Sequence, residues 1–262
     1  MRRTFGEENT VVCSQKALMS LFLLVPCEEQ AGGDEAVQAA LAHPARPAAD
    51  VQRDTNRKPD EVLSFFGIEP GQEVLEVFSG GGYYTQILDA LVGPDGKVIA
   101  HNNAGYMDFV GPQFESRFLE GGMANTEQLL AEANDIQLEA GSLDAALMVL
   151  TYHDFLFGSE QFNWPDVDEA AFLDGLCSAM KPGAVLGVID HVANPEDDPV
   201  KAAFDIHRID PERVMADITG SCFDFVESSD CLQNPNDDHT TSATQGPLAG
   251  NTDRFVYKFV RR

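Results

Sequence analysis

Two groups of residues in this chain have the types and spacing that chemistry needs. The first is a carboxylate followed by a glycine turn, Glu76-Val-Phe-Ser-Gly-Gly-Gly82, which closes an apolar run and opens an amphipathic one. That order reads as strand, tight turn and helix. Glycine permits backbone at positive φ, or backbone lying flat against a ligand. A helix that starts there presents unpaired N–H groups and the positive end of its dipole. The second group is His153-Asp154 and Asp190-His191, with His207 shortly after. An imidazole that titrates near neutrality suits proton transfer, and a neighbouring carboxylate would orient it. His153 is the candidate base, with Asp154 or Asp190 in support.

The glycine turn lacks the marks of a phosphate cradle. A dinucleotide turn of the form G-x-G-x-x-G needs a third glycine where this chain has Thr85, and no Gly-Lys-Ser/Thr ending follows. A carboxylate four residues before Gly80 points instead to a ligand that carries an ammonium group.

The elements that must position these residues alternate. The pattern predicts helices over 54–66, 83–91, 112–119, 166–180 and 211–218, the last with Asp210 as N-cap and Pro211 at its first position. It predicts strands over 74–78, 97–101, 126–130, 143–150, 184–189, 223–227 and 254–260. This is an α/β chain: a Rossmann-like, doubly wound, seven-stranded, mostly parallel sheet between two layers of helices. The polar segment 234–252 has no helical period, so the last two strands pair antiparallel at the sheet's edge. Ligands of such sheets bind beyond the C-terminal strand ends. Glu76, Asn102-Asn103, Glu132, His153-Asp154 and Asp190-His191 all fall there.

Composition narrows the partners. With 262 residues and 44% hydrophobic content the chain can fill a core, and its formal net charge of −26 repels nucleic acid and anionic membranes. A solubilising surface accounts for that charge. Arg2, Arg3 and Lys16 precede an apolar run over 17–25 that is too short to span a bilayer and fits a secretory signal. Leu24-Val-Pro-Cys27 loosely resembles a lipoprotein cleavage box. The expected division is an export segment over 1–27, a low-complexity linker over 28–50 and one domain over 51–262, placed outside the cytoplasm, with a cytoplasmic chain as the alternative. The cysteines, Cys13, Cys27, Cys177, Cys222 and Cys231, form no C-x-x-C pair. Cys222 and Cys231 are too far apart to bridge across an extended strand, so inert thiols are expected.

With these motifs in order, the chain resembles the class I S-adenosylmethionine-dependent methyltransferases. Glu76-Val-Phe-Ser-Gly-Gly-Gly82 is similar to their first motif, Leu143-Asp-Ala-Ala-Leu-Met-Val-Leu150 to the fourth-strand motif, and Met180-Lys-Pro-Gly-Ala-Val-Leu-Gly-Val-Ile-Asp190 to the turn and fifth strand. Tyr152-His-Asp154, Asp190-His191, His207-Arg-Ile209 and Asn234-Pro-Asn-Asp-Asp-His-Thr240 resemble a bacterial family of methyltransferases, often exported, whose substrate is unknown. The resemblance covers about residues 50–262. It implies that Glu76 holds the methionine ammonium of S-adenosylmethionine while Ser79, Gly80, Gly81 and Gly82 let the backbone pass beside it. It implies that Asn102 stands where an acidic residue usually takes the ribose hydroxyls. Glu132 falls where an acidic residue reads the adenine, or else on a solvated helix face. His153, Asp154, Asp190 and His191 then face a small-molecule acceptor. Methyl transfer is an in-line displacement that needs proximity, alignment and, for a protonated acceptor, a base.

Two other readings stand beside this one. The alternative is a non-catalytic or metal-dependent binding protein that reuses the same fold. Asp154 and Asp190 could hold a divalent ion, and His191 would favour zinc, iron or nickel over magnesium, but no metal ligand is assigned. The 234–240 loop either covers the site or is solvated, and Trp164 either lines an acceptor pocket or anchors its loop.

Overall fold

Apolar strand-length runs alternating with amphipathic ones fold into a seven-stranded sheet in the computed structural model, which describes residues 27–120 and 123–262. The strands are β1 (Glu73–Val77), β2 (Lys97–Asn102), β3 (Thr126–Leu130), β4 (Leu143–Val149), β5 (Met180–His191), β6 (Phe223–Ser229) and β7 (Arg254–Arg261). Their order across the sheet is β3-β2-β1-β4-β5-β7-β6. β1 pairs in parallel with both β2 and β4, so the chain reverses its winding direction there. A crevice opens at such a switch point. β7 runs antiparallel to both β5 and β6, which puts the reversed strand one place in from the edge.

The helices are α1 (Cys27–Leu41), α2 (Ala48–Arg57), α3 (Pro59–Phe66), α4 (Tyr83–Val92), α5 (Ala104–Glu120), α6 (Glu169–Ala179), α7 (Pro199–Ile206) and α8 (Pro211–Thr219). They cover both faces of the sheet. Because side chains alternate along a strand, Leu75, Val77, Met148 and Val188 pack against Phe172, Leu176, Val214 and Ile218 of α6 and α8. Val74, Leu147 and Ile189 pack the other way, against Leu63, Phe66, Ile87 and Leu88 of α3 and α4. Asp210 caps α8 as its sequence predicts, accepting the Glu212 N–H at 2.9 Å.

Several expectations are corrected. Residues 28–50 are not a linker: α1 and the start of α2 occupy most of them, and Val37 and Ala40 are buried against the face that α3 and α4 share. Alanine and glutamate are good helix formers, so a composition that reads as low complexity is also a helix composition. The single helix expected over 54–66 is two, broken at Lys58 with φ 41°. Pro59 has no N–H and disfavours helical backbone in the residue before it. The cysteines are not all inert thiols, since Cys177 at the end of α6 and Cys222 just before β6 form a disulfide. The basic and apolar stretch over 1–25 lies outside the described residues. Among those described, no helix is long and apolar enough to cross a membrane.

Candidate functional site

The C-terminal ends of β1, β4 and β5 open into a cleft of about 910 Å³, walled also by α2, α5 and the loop before β7. One end is the glycine turn. β1 leads into Phe78 at φ 49°, then Gly80 at φ 58° and Gly82 at φ 81°, a run of left-handed backbone that turns the chain into α4. Ser79 donates its N–H to the His101 carbonyl at 2.8 Å, which ties the turn to β2. Gly80 and Gly81 face the cleft. Gly82 does not: it caps α4 against α5, where an added Cβ would come within 3.0 Å of the Arg117 side chain.

Glu76 lines the cleft and is buried. Its Oε2 accepts the Thr85 hydroxyl at 2.5 Å, and no cation pairs with it directly among the described residues. Burial pushes its carboxyl up to about 8, against the opposing pull of Thr85, Arg57 and Arg117. Thr85, which displaces the third glycine of a dinucleotide turn, is thus the partner that holds this carboxylate. Arg57 of α2 faces the same end of the cleft, its guanidinium 4.6 Å from the Tyr83 ring centroid. Two further groups wait unpartnered. Ser79 Oγ and Thr151 Oγ1 are buried cleft-lining hydroxyls with no hydrogen-bond partner. Buried polar groups are almost always satisfied, so these two orphans mark where a polar ligand belongs.

Asn102 does not present its side chain to the cleft. Its Oδ1 accepts the Gly80 N–H at 2.9 Å and its Nδ2 donates to the Gly80 carbonyl at 3.1 Å. Both ends of the amide are engaged by the turn, and the side chain is buried off the cleft lining instead of facing a ligand. Asn103 is likewise engaged, accepting the Tyr106 N–H at 2.8 Å to start α5. Glu132 also lies off the cleft lining, with one oxygen accepting the Ala104 N–H at 3.3 Å. These residues build the turn and α5 rather than line the site.

The other end of the cleft is the histidine cluster. Asp190, fully buried at the end of β5, accepts the His153 N–H at 2.9 Å and meets His153 Nδ1 at 2.9 Å. It also accepts the His191 N–H at 2.7 Å. Adjacent parallel strands bring these residues together as their sequence positions imply. His153 Nε2 lies 3.4 Å from Asp154 Oδ1, and the second Asp154 oxygen accepts the Tyr106 hydroxyl at 2.7 Å. Burial opposes charge on His153, but Asp154 and Asp190 outweigh it and push the imidazole up to about 9. Both carboxylates thus favour the protonated imidazole over the free base. Burial raises the Asp154 carboxyl; for Asp190 burial is outweighed by His153 and the carboxyl is held low. His191 turns its Nδ1 to Thr252 Oγ1 at 2.5 Å, and burial pushes it down to about 3.

His207 joins the cluster from the C-cap of α7, in left-handed backbone at φ 54°. Its ring stands edge-on to His153 with centroids 5.4 Å apart, and burial lowers its pKa. Trp164 does both things its sequence allowed: it lines the cleft, and its Nε1–H donates to the Asp154 carbonyl at 3.0 Å. The 234–240 loop is neither free lid nor solvated loop throughout. Asp237 forms a buried ion pair with Arg208, both carboxylate oxygens accepting from Nη2 at 2.9 and 3.0 Å. Phe157, Phe162 and Phe204 complete an aromatic wall beside the histidines. Arg57, Ser79 as an orphan hydroxyl and Thr151 carry no local sequence signal; only the proximity of Thr151 to the end of β4 hints at its place.

Comparison with known proteins gives the context for this cleft. The protein-L-isoaspartate(D-aspartate) O-methyltransferase family matches residues 58–106, the stretch that contains Glu76 and the glycine turn. No curated protein matches the sequence. Among solved structures, an S-adenosylmethionine-dependent methyltransferase from Aquifex aeolicus is similar over 87% of this chain and 98% of its own, at 22% identity and TM-score 0.54. One from Mesorhizobium loti is similar over 80% of this chain and 100% of its own, at 12% identity and TM-score 0.55. Geranyl diphosphate C-methyltransferase from Streptomyces coelicolor A3(2), solved with Mg²⁺, geranyl diphosphate and S-adenosyl-L-homocysteine, is similar over 86% of this chain and 87% of its own, at 13% identity and TM-score 0.54. The chain thus has the Rossmann-like fold of S-adenosylmethionine-dependent methyltransferases.

Proposed function

We propose that the protein is a class I S-adenosylmethionine-dependent methyltransferase acting on a small-molecule acceptor. The observation that carries this reading is Glu76, a buried carboxylate without a direct cationic partner, set beside a glycine turn at the switch point of the sheet. It fits the ammonium of the cofactor's methionine. Arg57 fits the carboxylate of the same moiety, and the orphan hydroxyls of Ser79 and Thr151 offer hydrogen bonds that no group among the described residues uses. Bound there, S-adenosylmethionine supplies an electrophilic methyl group. The chain's task is then to hold an acceptor in line with it and to exclude water. His153, Asp154 and His207 form the polar end where that acceptor sits, and the aromatic wall covers its apolar part.

Export belongs to the same proposal. The Cys177–Cys222 disulfide supports it, because such bonds persist in oxidising compartments, and so does the basic and apolar run over 1–25. A second reading, a binding protein that keeps the fold for another ammonium-bearing ligand, is favoured by Asn102, which leaves the usual ribose acceptor missing. Calorimetry with S-adenosylmethionine and S-adenosylhomocysteine separates the readings. Binding of both, weakened roughly tenfold or more in Glu76→Gln, is expected from the loss of a charged hydrogen bond. Binding of neither by the wild-type protein overturns the proposal.

A further inference from the structure

We propose that His153, Asp154 and His207 bind a divalent transition-metal ion at the acceptor end of the cleft. One ligand atom from each residue lies within 4.8 Å of the other two. His153 Nε2 and Asp154 Oδ1 are already 3.4 Å apart, about the spacing that two ligands take on one tetrahedral ion with bonds of ~2.1 Å. His207 completes the set.

The surroundings are those of a metal site. His153 commits Nδ1 to Asp190 at 2.9 Å, so Nε2 is the nitrogen presented inward. A carboxylate on the far nitrogen of a metal-binding imidazole is the usual support that fixes its ring and tautomer. Asp154 is held in the same way by the Tyr106 hydroxyl at 2.7 Å. Two of the three ligands are therefore already oriented by a second residue, and the backbone of the third is set by the left-handed cap of α7. Two nitrogens and one oxygen suit zinc, iron, cobalt or nickel better than magnesium or calcium. Three protein ligands also leave coordination positions open, and all three residues line the cleft. Asp190 and His191, which the sequence sets beside Asp154 for a metal, are turned elsewhere, toward His153 and Thr252.

What the ion does rests on the methyltransferase reading; that it binds does not. In that reading the ion holds the acceptor's oxygen, nitrogen or sulfur and lowers its pKa, releasing the proton to solvent.

The test is titration of the metal-stripped full-length protein with Co²⁺, followed by its visible absorption, with Zn²⁺ as competitor. S-adenosylhomocysteine binding is measured on the same samples by calorimetry. One equivalent of Co²⁺ is expected, displaced by Zn²⁺. His207→Gln and Asp154→Asn should each weaken it at least tenfold while homocysteine-derivative binding and the circular dichroism spectrum stay unchanged. Tyr106→Phe should weaken Co²⁺ to a lesser degree. Co²⁺ binding no tighter in the wild-type protein than in a correctly folded His207→Gln or Asp154→Asn variant overturns the site. Intact Co²⁺ binding without S-adenosylhomocysteine binding upholds the site and removes only the methyltransferase reading.

Discussion

Asn102 clasps Gly80 with both ends of its amide, accepting at 2.9 Å and donating at 3.1 Å. A carboxylate at this position would face the Gly80 carbonyl with no proton to give. Asn102→Asp should therefore loosen the turn, weaken S-adenosylmethionine binding and cost about 1–3 kcal/mol of stability in chemical denaturation. If aspartate instead tightens binding, position 102 reaches the ribose after all and the clasp is not what matters.

Glu76 gives a pH signature. Its carboxyl sits at about 8 in the folded protein against an ordinary 4.5, so the folded state holds a proton that the unfolded chain has released. Its contribution to stability is complete below pH 4.5 and is lost as pH rises through about 8. A bound ammonium would ionise it and expel that proton. The calorimetric enthalpy of S-adenosylmethionine binding at neutral pH should then depend on the buffer's ionisation heat, and the dependence should vanish in Glu76→Gln. Equal enthalpies in phosphate and Tris would falsify the assignment.

Arg57 and Glu76 are assigned to the amino-acid part of the cofactor. Arg57→Gln should weaken S-adenosylhomocysteine roughly tenfold or more and leave 5′-methylthioadenosine, which lacks that part, unchanged. Parallel losses for both ligands would mean that the substitution disturbs α2 rather than removes a contact.

The Cys177–Cys222 disulfide closes a loop with a sequence separation of 45. Chain-entropy arguments give such a cross-link about 3–4 kcal/mol. Reduction, or replacement of both cysteines by serine, should lower the urea midpoint accordingly. An unchanged midpoint under strong reductant shows that the bond does not form in the protein.

How much of this was legible follows the range of each interaction. β4 ends one residue early, its apolar run being a local property, and β3 falls on its predicted residues by its place in the alternation more than by pattern. The meeting of His153 with Asp190 was also legible, since strand ends on adjacent parallel strands must lie side by side. The Asn102 clasp joins residues 22 positions apart through backbone atoms that leave no mark on sequence. The disulfide needed the end of α6 to meet the start of β6, which no cysteine spacing encodes. α1 escaped notice because few of its side chains are large and apolar; among those described, Val37 and Ala40 are buried, with Ala36 and Leu41 partly buried beside them. His207 was visible as a residue, but its approach to His153 depends on α7, a helix of 8 residues that the pattern did not predict.

Arg53 and Arg57 reach the cleft from α2, a helix that precedes the whole sheet, and Asp54 between them takes the Tyr83 hydroxyl at 2.5 Å. If the proposed export segment is removed by proteolysis, the fold sets how far the cut can run. A cut ahead of Cys27 spares α1 and the Arg46–Asp54 pair behind this wall of the cleft, whereas a cut beyond Arg57 strips the wall away while sparing every strand.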